Sequence, residues 1–184
     1  MVGPDIFGSK VNLRPLKTDD LTRRIAWLND PECVRFFTGC LPERAYGQED
    51  VERWRRSLEA DSSASVWAIE TKYGMHIGDI DLHDIDRHMN TAKLTILIGD
   101  RAYWGRGYGT DAVKSLLTSA FADLRLQKVN LRVFGFNSRA IRCYEKCGFV
   151  RVHDSGAHGT YPGEIYMTAS RDRFMAMESN AGTV

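Results

Sequence analysis

The stretch Trp104-Gly105-Arg106-Gly107-Tyr108-Gly109-Thr110 decides how the rest of the 184-residue chain is read. An apolar run, Leu94-Thr95-Ile96-Leu97-Ile98, comes just before it. After it, apolar side chains fall at Tyr108, Ala112, Val113, Leu116, Leu117, Ala120, Phe121 and Leu124. Those offsets keep to one face of a 3.6-residue period, so the reading is strand, glycine-rich turn, helix. Glycines at alternating positions allow positive φ and a close approach of backbone to ligand. The first turn of the helix adds unpaired N–H groups and the positive end of its dipole. Together these suit phosphate or pyrophosphate, with Arg106 adding charge. A tight connection that needs glycine only for sterics explains the turn equally well. Two common phosphate loops do not fit: Gly109 is followed by Thr110-Asp111 without the P-loop lysine. The third glycine of the dinucleotide fingerprint is replaced by Thr110.

Gly107-Tyr108-Gly109 resembles the end of the Gln/Arg-x-x-Gly-x-Gly/Ala signature of the GNAT superfamily of acyl-CoA-dependent N-acetyltransferases. Trp104 stands where Gln or Arg is usual. The wording Tyr-Trp-Gly-Arg-Gly-Tyr-Gly-Thr-Asp-Ala is similar to the branch that acetylates ribosomal-protein N-termini. A second block, Asn137-Ser138-Arg139-Ala140-Ile141-Arg142-Cys143-Tyr144-Glu145-Lys146-Cys147-Gly148-Phe149, resembles the family's Asn-x-x-Ala-x-x-x-Tyr-x-Lys-x-Gly-Phe segment. The two motifs at this separation are far more specific than either alone.

The resemblance implies one GNAT domain over residues 1–184, with its core at about 9–175 and a frayed C-terminal tail. The implied fold is α/β: a mixed, mostly antiparallel sheet of about seven strands, helices on both faces, and the family's fourth and fifth strands splayed apart. It also implies acetyl-CoA as co-substrate; no metal is expected, because Cys143 and Cys147, one helical turn apart, have no neighbouring histidine. Trp104, Gly105, Arg106, Gly107, Tyr108, Gly109 and Thr110 would hold the pyrophosphate. The pantetheine arm would pair with Ile96, Leu97 and Ile98 and lie near Asn137 and Ala140. A backbone N–H near Leu97 or Ile98 would polarise the thioester carbonyl. Tyr144 would also touch the cofactor and would protonate the departing CoA thiolate; packing on the inner helical stripe is its plainer role.

The base is harder to read. Related enzymes often carry glutamate where Lys93 stands, and lysine fills that role only with a strongly depressed pKa. Glu70, Asp79, Asp81 and His83 are substitutes, with Asp81 and His83 ranked as the catalytic candidates. Period-two alternation sets Asp79, Asp81 and His83 on one face of a strand, where a solvated acidic row is the alternative. The expected reaction is direct attack of a primary amine on acetyl-CoA in a ternary complex. The acceptor is a small molecule or a peptide: a protein N-terminus, a polyamine or an amino sugar. A non-catalytic acyl-CoA-binding regulatory module is the rival reading.

Composition is ordinary for a single globular domain, at 43% hydrophobic and 27% charged. A net charge of +1 gives no case for nucleic acid or an anionic membrane. No apolar run reaches the ~18 residues of a membrane span, and no secretory pattern opens the chain. The expectation is a cytoplasmic monomer or homodimer. Cys33, Cys40, Cys143 and Cys147 read as free thiols.

In chain order, Val11–Arg14 alternates like a strand. A helix follows, with Leu21, Ile25 and Leu28 inward, until Pro31 stops it. Residues 32–47 show no strong period. A second helix starts near Glu49, followed by strands at 66–69 and 77–83. A loop at 84–90 leads to the strand at 94–98. Beyond the long helix come a strand at 129–134, a helix capped by Asn137 and closed by Gly148, and two strands around a loop bearing Gly, His and Pro. From Ala176 the polar tail is expected to fray.

Overall fold

The computed structural model describes residues 4–152 and 163–181. Its elements run β1 (Ile6–Phe7), β2 (Val11–Pro15), α1 (Asp20–Leu28), α2 (Pro31–Thr38), α3 (Gln48–Ala60), β3 (Ser65–Thr71), β4 (His76–Asp86) and β5 (Thr91–Ile98). After a 3₁₀ turn (Arg101–Tyr103) come α4 (Tyr108–Ala122), β6 (Lys128–Phe134), α5 (Ser138–Lys146), β7 (Val150–Val152), β8 (Glu164–Ser170) and α6 (Arg171–Ala181). The strands form one sheet in the order β1-β2-β3-β4-β5-β6-β8-β7. Every neighbouring pair is antiparallel except β5 and β6.

Two cores follow from the alternation of β4 and β5. Ile80, Leu82 and Leu94 turn to one face, where α4 lays down Ala112, Val113, Leu116, Leu117, Ala120 and Phe121. Leu97 turns to the other and meets Leu21, Trp27, Leu28 and Val51 of α1 and α3. The helical stripe read from the sequence is therefore the buried face of α4. Each such side chain contributes about 1.5–3 kcal/mol by leaving water. No described helix is long and apolar enough to cross a membrane.

Three elements differ from expectation. The sheet has eight strands because Ile6–Phe7 pairs with Leu13 and Asn12, a ladder too short to show a period. Pro31 does end α1, but it also opens α2. The Asp30 carboxylate accepts from the N–H groups of Glu32 (2.9 Å) and Cys33 (3.3 Å), and Gly39 closes the helix at φ 81°. The tail beyond Ala176 continues α6 to Ala181 rather than fraying. Phe174 anchors this helix, buried against Phe121 at a ring separation of 5.5 Å. The loop expected between the last two strands lies almost wholly outside the described residues.

Candidate active site

The glycine turn joins β5 to α4. The Trp104 indole donates to the carbonyl of Ile98 at 2.5 Å, which fastens the turn to the end of the strand. Gly105 and Gly107 take left-handed φ of 69° and 86°, a conformation costly for other residues. Gly107 caps α4 without a side chain. Among the described residues, no acceptor meets the N–H groups of Tyr108, Gly109 and Thr110. This is the unpaired first turn an anion requires.

The turn opens onto a cleft of about 800 Å³, within the usual range for small-molecule sites. Its cause is visible in the register. β5 pairs with β6 only at Thr91–Lys128, Ala92–Val129 and Lys93–Asn130. From Leu94 onward the strands diverge, and Ile96, Leu97 and Ile98 line one wall while Leu131 and Val133 line the other. The splay expected between the family's fourth and fifth strands is thus between β5 and β6.

Tyr144 lies on the inner stripe of α5 and lines the same cleft, 7% exposed, its ring edge-on to Phe149 at 5.8 Å. The hydroxyl has no hydrogen-bond partner among the described residues. Burial raises its pKa, so the phenol stays protonated at neutral pH. Asn137 divides its amide between two tasks. Oδ1 accepts from the N–H of Ala140 (3.2 Å), capping α5, and Nδ2 donates to the carbonyl of Phe36 (3.3 Å), tying α2 over the cleft. Ala140 lines the cleft one turn before Tyr144. Arg139 strengthens the tie by stacking over the rings of Trp104 (3.7 Å) and Phe36 (4.9 Å).

The acidic row on β4 divides into two groups. His83 Nδ1 lies 2.8 Å from Asp81 Oδ1, and the imidazole lines the cleft. Burial pushes the Asp81 carboxyl up, opposed by His83. With Nδ1–H given to Asp81, a neutral His83 keeps a lone pair on Nε2. Asp79 belongs elsewhere: it pairs with buried Arg24 and receives His76 Nε2 at 3.0 Å. Arg24 in turn stacks on Trp54 at 3.5 Å. Glu70 is bound to Arg14 at 2.6 Å. Asp79 and Glu70 are structural ion-pair members, not bases, and Asp79 at 3% exposure is no solvated face. Lys93 lines the cleft opposite His83 but spends its ammonium on Asp84, 2.8 Å away. The sequence reading missed the far wall, where Asn130, Arg132 and Phe134 of β6 stand beside Glu164 and Tyr166 of β8. Arg132 lies 3.4 Å from Glu164.

An open, splayed sheet with an unpaired helix N-terminus at one end and a protonated tyrosine inside defines a class, the acyl-CoA-binding α/β transferases. Residues 10–150 match the acetyltransferase (GNAT) domain, and the chain belongs to that family. It is similar to an aminoglycoside N(6')-acetyltransferase type 1 of Klebsiella pneumoniae, 36% identical over 93% of this chain and 88% of that one. It is also similar to the spermidine N(1)-acetyltransferase of Vibrio cholerae, 27% identical over 78% and 81% of the two chains. A crystal structure of spermidine N-acetyltransferase from Vibrio cholerae, in complex with CoA and spermine, shares the fold. It superposes with a TM-score of 0.76 at 23% identity, covering 91% of this chain and 99% of that one.

Proposed function

We propose that this acetyl-CoA-dependent N-acetyltransferase acetylates a primary amine of a small polycationic acceptor, with Tyr144 as acid and His83 as base. The observation that carries the reading is the position of Tyr144, a protonated phenol inside the cleft where β5 and β6 part. Acetyl-CoA supplies an activated acyl group as a thioester. The N–H groups of the glycine turn take its pyrophosphate, and the edge of β5 freed beyond Lys93 takes the pantetheine amides. The acceptor ammonium first gives one proton to water, and as the neutral amine attacks, His83 Nε2 accepts a second proton from its nitrogen while Asp81 holds the imidazole tautomer. The amine nitrogen attacks the thioester carbonyl carbon, with a backbone N–H near Leu97 or Ile98 facing the oxygen. The C–N bond forms, the C–S bond breaks, and Tyr144 gives its proton to the thiolate.

Two observations favour a cationic small acceptor over a neutral one. Glu164 lines the cleft beside Arg132, and the Asp81 carboxylate backs His83 there; relatives named for spermidine and aminoglycosides align over most of the chain. Action in the cytoplasm, as a monomer or homodimer, completes the reading. The test is release of free CoA thiol from acetyl-CoA across spermidine, aminoglycosides and a peptide N-terminus. Release with a polycation supports the proposal. Tight CoA binding with no turnover on any amine supports the regulatory module instead.

A further inference from the structure

Asp111, in the first turn of α4, is more heavily bonded than a residue that only answers the helix dipole. Its carboxylate accepts from the backbone N–H groups of Ser9 (3.1 Å), Lys10 (2.7 Å) and Val11 (3.0 Å), and from the Ser9 hydroxyl (2.7 Å). Burial alone would raise this carboxyl; the Ser9 hydroxyl and the three N–H groups outweigh it and hold it below the usual range. The turn between β1 and β2 is thereby clamped onto the start of α4. Gly8 permits the approach, since a Cβ there would sit 2.4 Å from Asp111 Oδ2.

The clamp delivers one side chain to the glycine turn. The stem of Lys10 runs past Gly107, with Cε 3.7 Å and Nζ 3.8 Å from where a Cβ would stand. Nζ donates to the carbonyl of Arg106 at 3.3 Å and lies 5.6 Å from the Tyr108 ring centre. An ammonium has three N–H donors, so two remain after that bond. Lys10 forms no ion pair among the described residues, and neither does Arg106, whose guanidinium donates to the carbonyl of Ala102. Two uncompensated cations therefore flank a run of unpaired N–H groups. A cation held by its own backbone clamp beside an anion-binding turn is placed to meet phosphate.

We propose that Lys10 is a phosphate-binding residue of the acetyl-CoA site, and that it makes this protein favour CoA over the same thiol arm without phosphates. The inference rests on the reading of residues 104–110 as the pyrophosphate turn. The Lys10 side chain is exposed, so Lys10→Met is expected to fold with an unchanged melting temperature. Titration calorimetry with CoA and with pantetheine, which carries no phosphate, separates the contributions. Wild-type protein should bind CoA far more tightly than pantetheine. Lys10→Met should weaken CoA binding at least about fivefold, the scale of one exposed charge-assisted contact. Its affinity for pantetheine should move less than about twofold, and Lys10→Arg should restore most of the CoA affinity. Wild-type protein that binds pantetheine as tightly as CoA overturns the turn assignment, and Lys10 with it. A wild-type preference for CoA that Lys10→Met keeps in full overturns Lys10 alone.

Discussion

At the residue scale the account turns on two proton-transfer groups. Tyr144→Phe keeps the ring against Phe149 and removes only a hydroxyl without a partner among the described residues. Stability should hardly change. General acid catalysis is worth ~10²–10⁴ in rate, and a thiol is already a fair leaving group, so kcat should fall by about 10². Acetyl-CoA affinity should hold, because the lost interaction belongs to the transition state. A kcat within about twofold of wild type, with chemistry limiting, would mean that Tyr144 only packs. Because burial raises this phenol, the acid form persists through the ordinary tyrosine range near ~10. Any loss of rate on the alkaline side below that pH should therefore survive in the Phe variant. Asp81→Asn addresses the base: an amide that donates to Nδ1 favours the wrong tautomer of His83. Acceptor kcat/KM should drop about tenfold or more while the CoA isotherm stays put; unchanged kinetics would return Asp81 to a structural role. The place of Tyr144 and His83 in one cleft was legible beforehand. A helical stripe with its motif points to Tyr144, and the i, i+2 rule puts Asp81 and His83 side by side. Glu164 and Lys10 were not legible, since each reaches the site through a strand register or a turn contact far away in sequence.

At the element scale the cleft exists because a parallel pair breaks off early. β5 and β6 share three registered residues and then part, leaving the β5 edge to a ligand. Nothing in either strand's own residues marks that end, so only the family resemblance foretold it. α2 is the opposite case, for Asp30-Pro31 at its start and Gly39 at its end are readable signals. They were obscured because its apolar residues serve the cleft as well as the second core. Cys33, Phe36 and Phe37 all line the site. α1 and α3 are fixed to the sheet by the Arg24–Asp79 pair, with His76 between Asp79 and Asp20. Asp79→Asn leaves the Arg24 charge buried against Trp54 without its carboxylate. The cost of such a break is about 3–5 kcal/mol, and at about 2–4 °C per kcal/mol for this size the melting temperature should fall by roughly 6–20 °C. A shift under about 2 °C in a thermal scan would show that the pair is not what holds α1 and α3 down. Alternation alone set Asp79 beside Asp81; only the packing of α1 separates their roles.

At the scale of the whole molecule, a net charge of +1 conceals a cleft rich in charged side chains. Arg139, Arg142 and Lys146 line the cleft from α5, while Lys93, Arg132 and Glu164 line it from the sheet and His83 reaches it backed by Asp81. In the proposed reading both substrates occupy this one cavity, and direct transfer requires both at once. The nearest competing chemistry is a covalent acetyl-enzyme on Cys143. This thiol lines the cleft, lies 3.4 Å from Thr110 Oγ1, and has its pKa lowered by the neighbouring Cys147 thiol. The initial rate of thiol release, measured over a matrix of acetyl-CoA and polyamine concentrations, decides between them. Direct attack within a ternary complex predicts double-reciprocal lines that intersect. Parallel lines would mean that CoA leaves before the amine arrives, and would contradict the account.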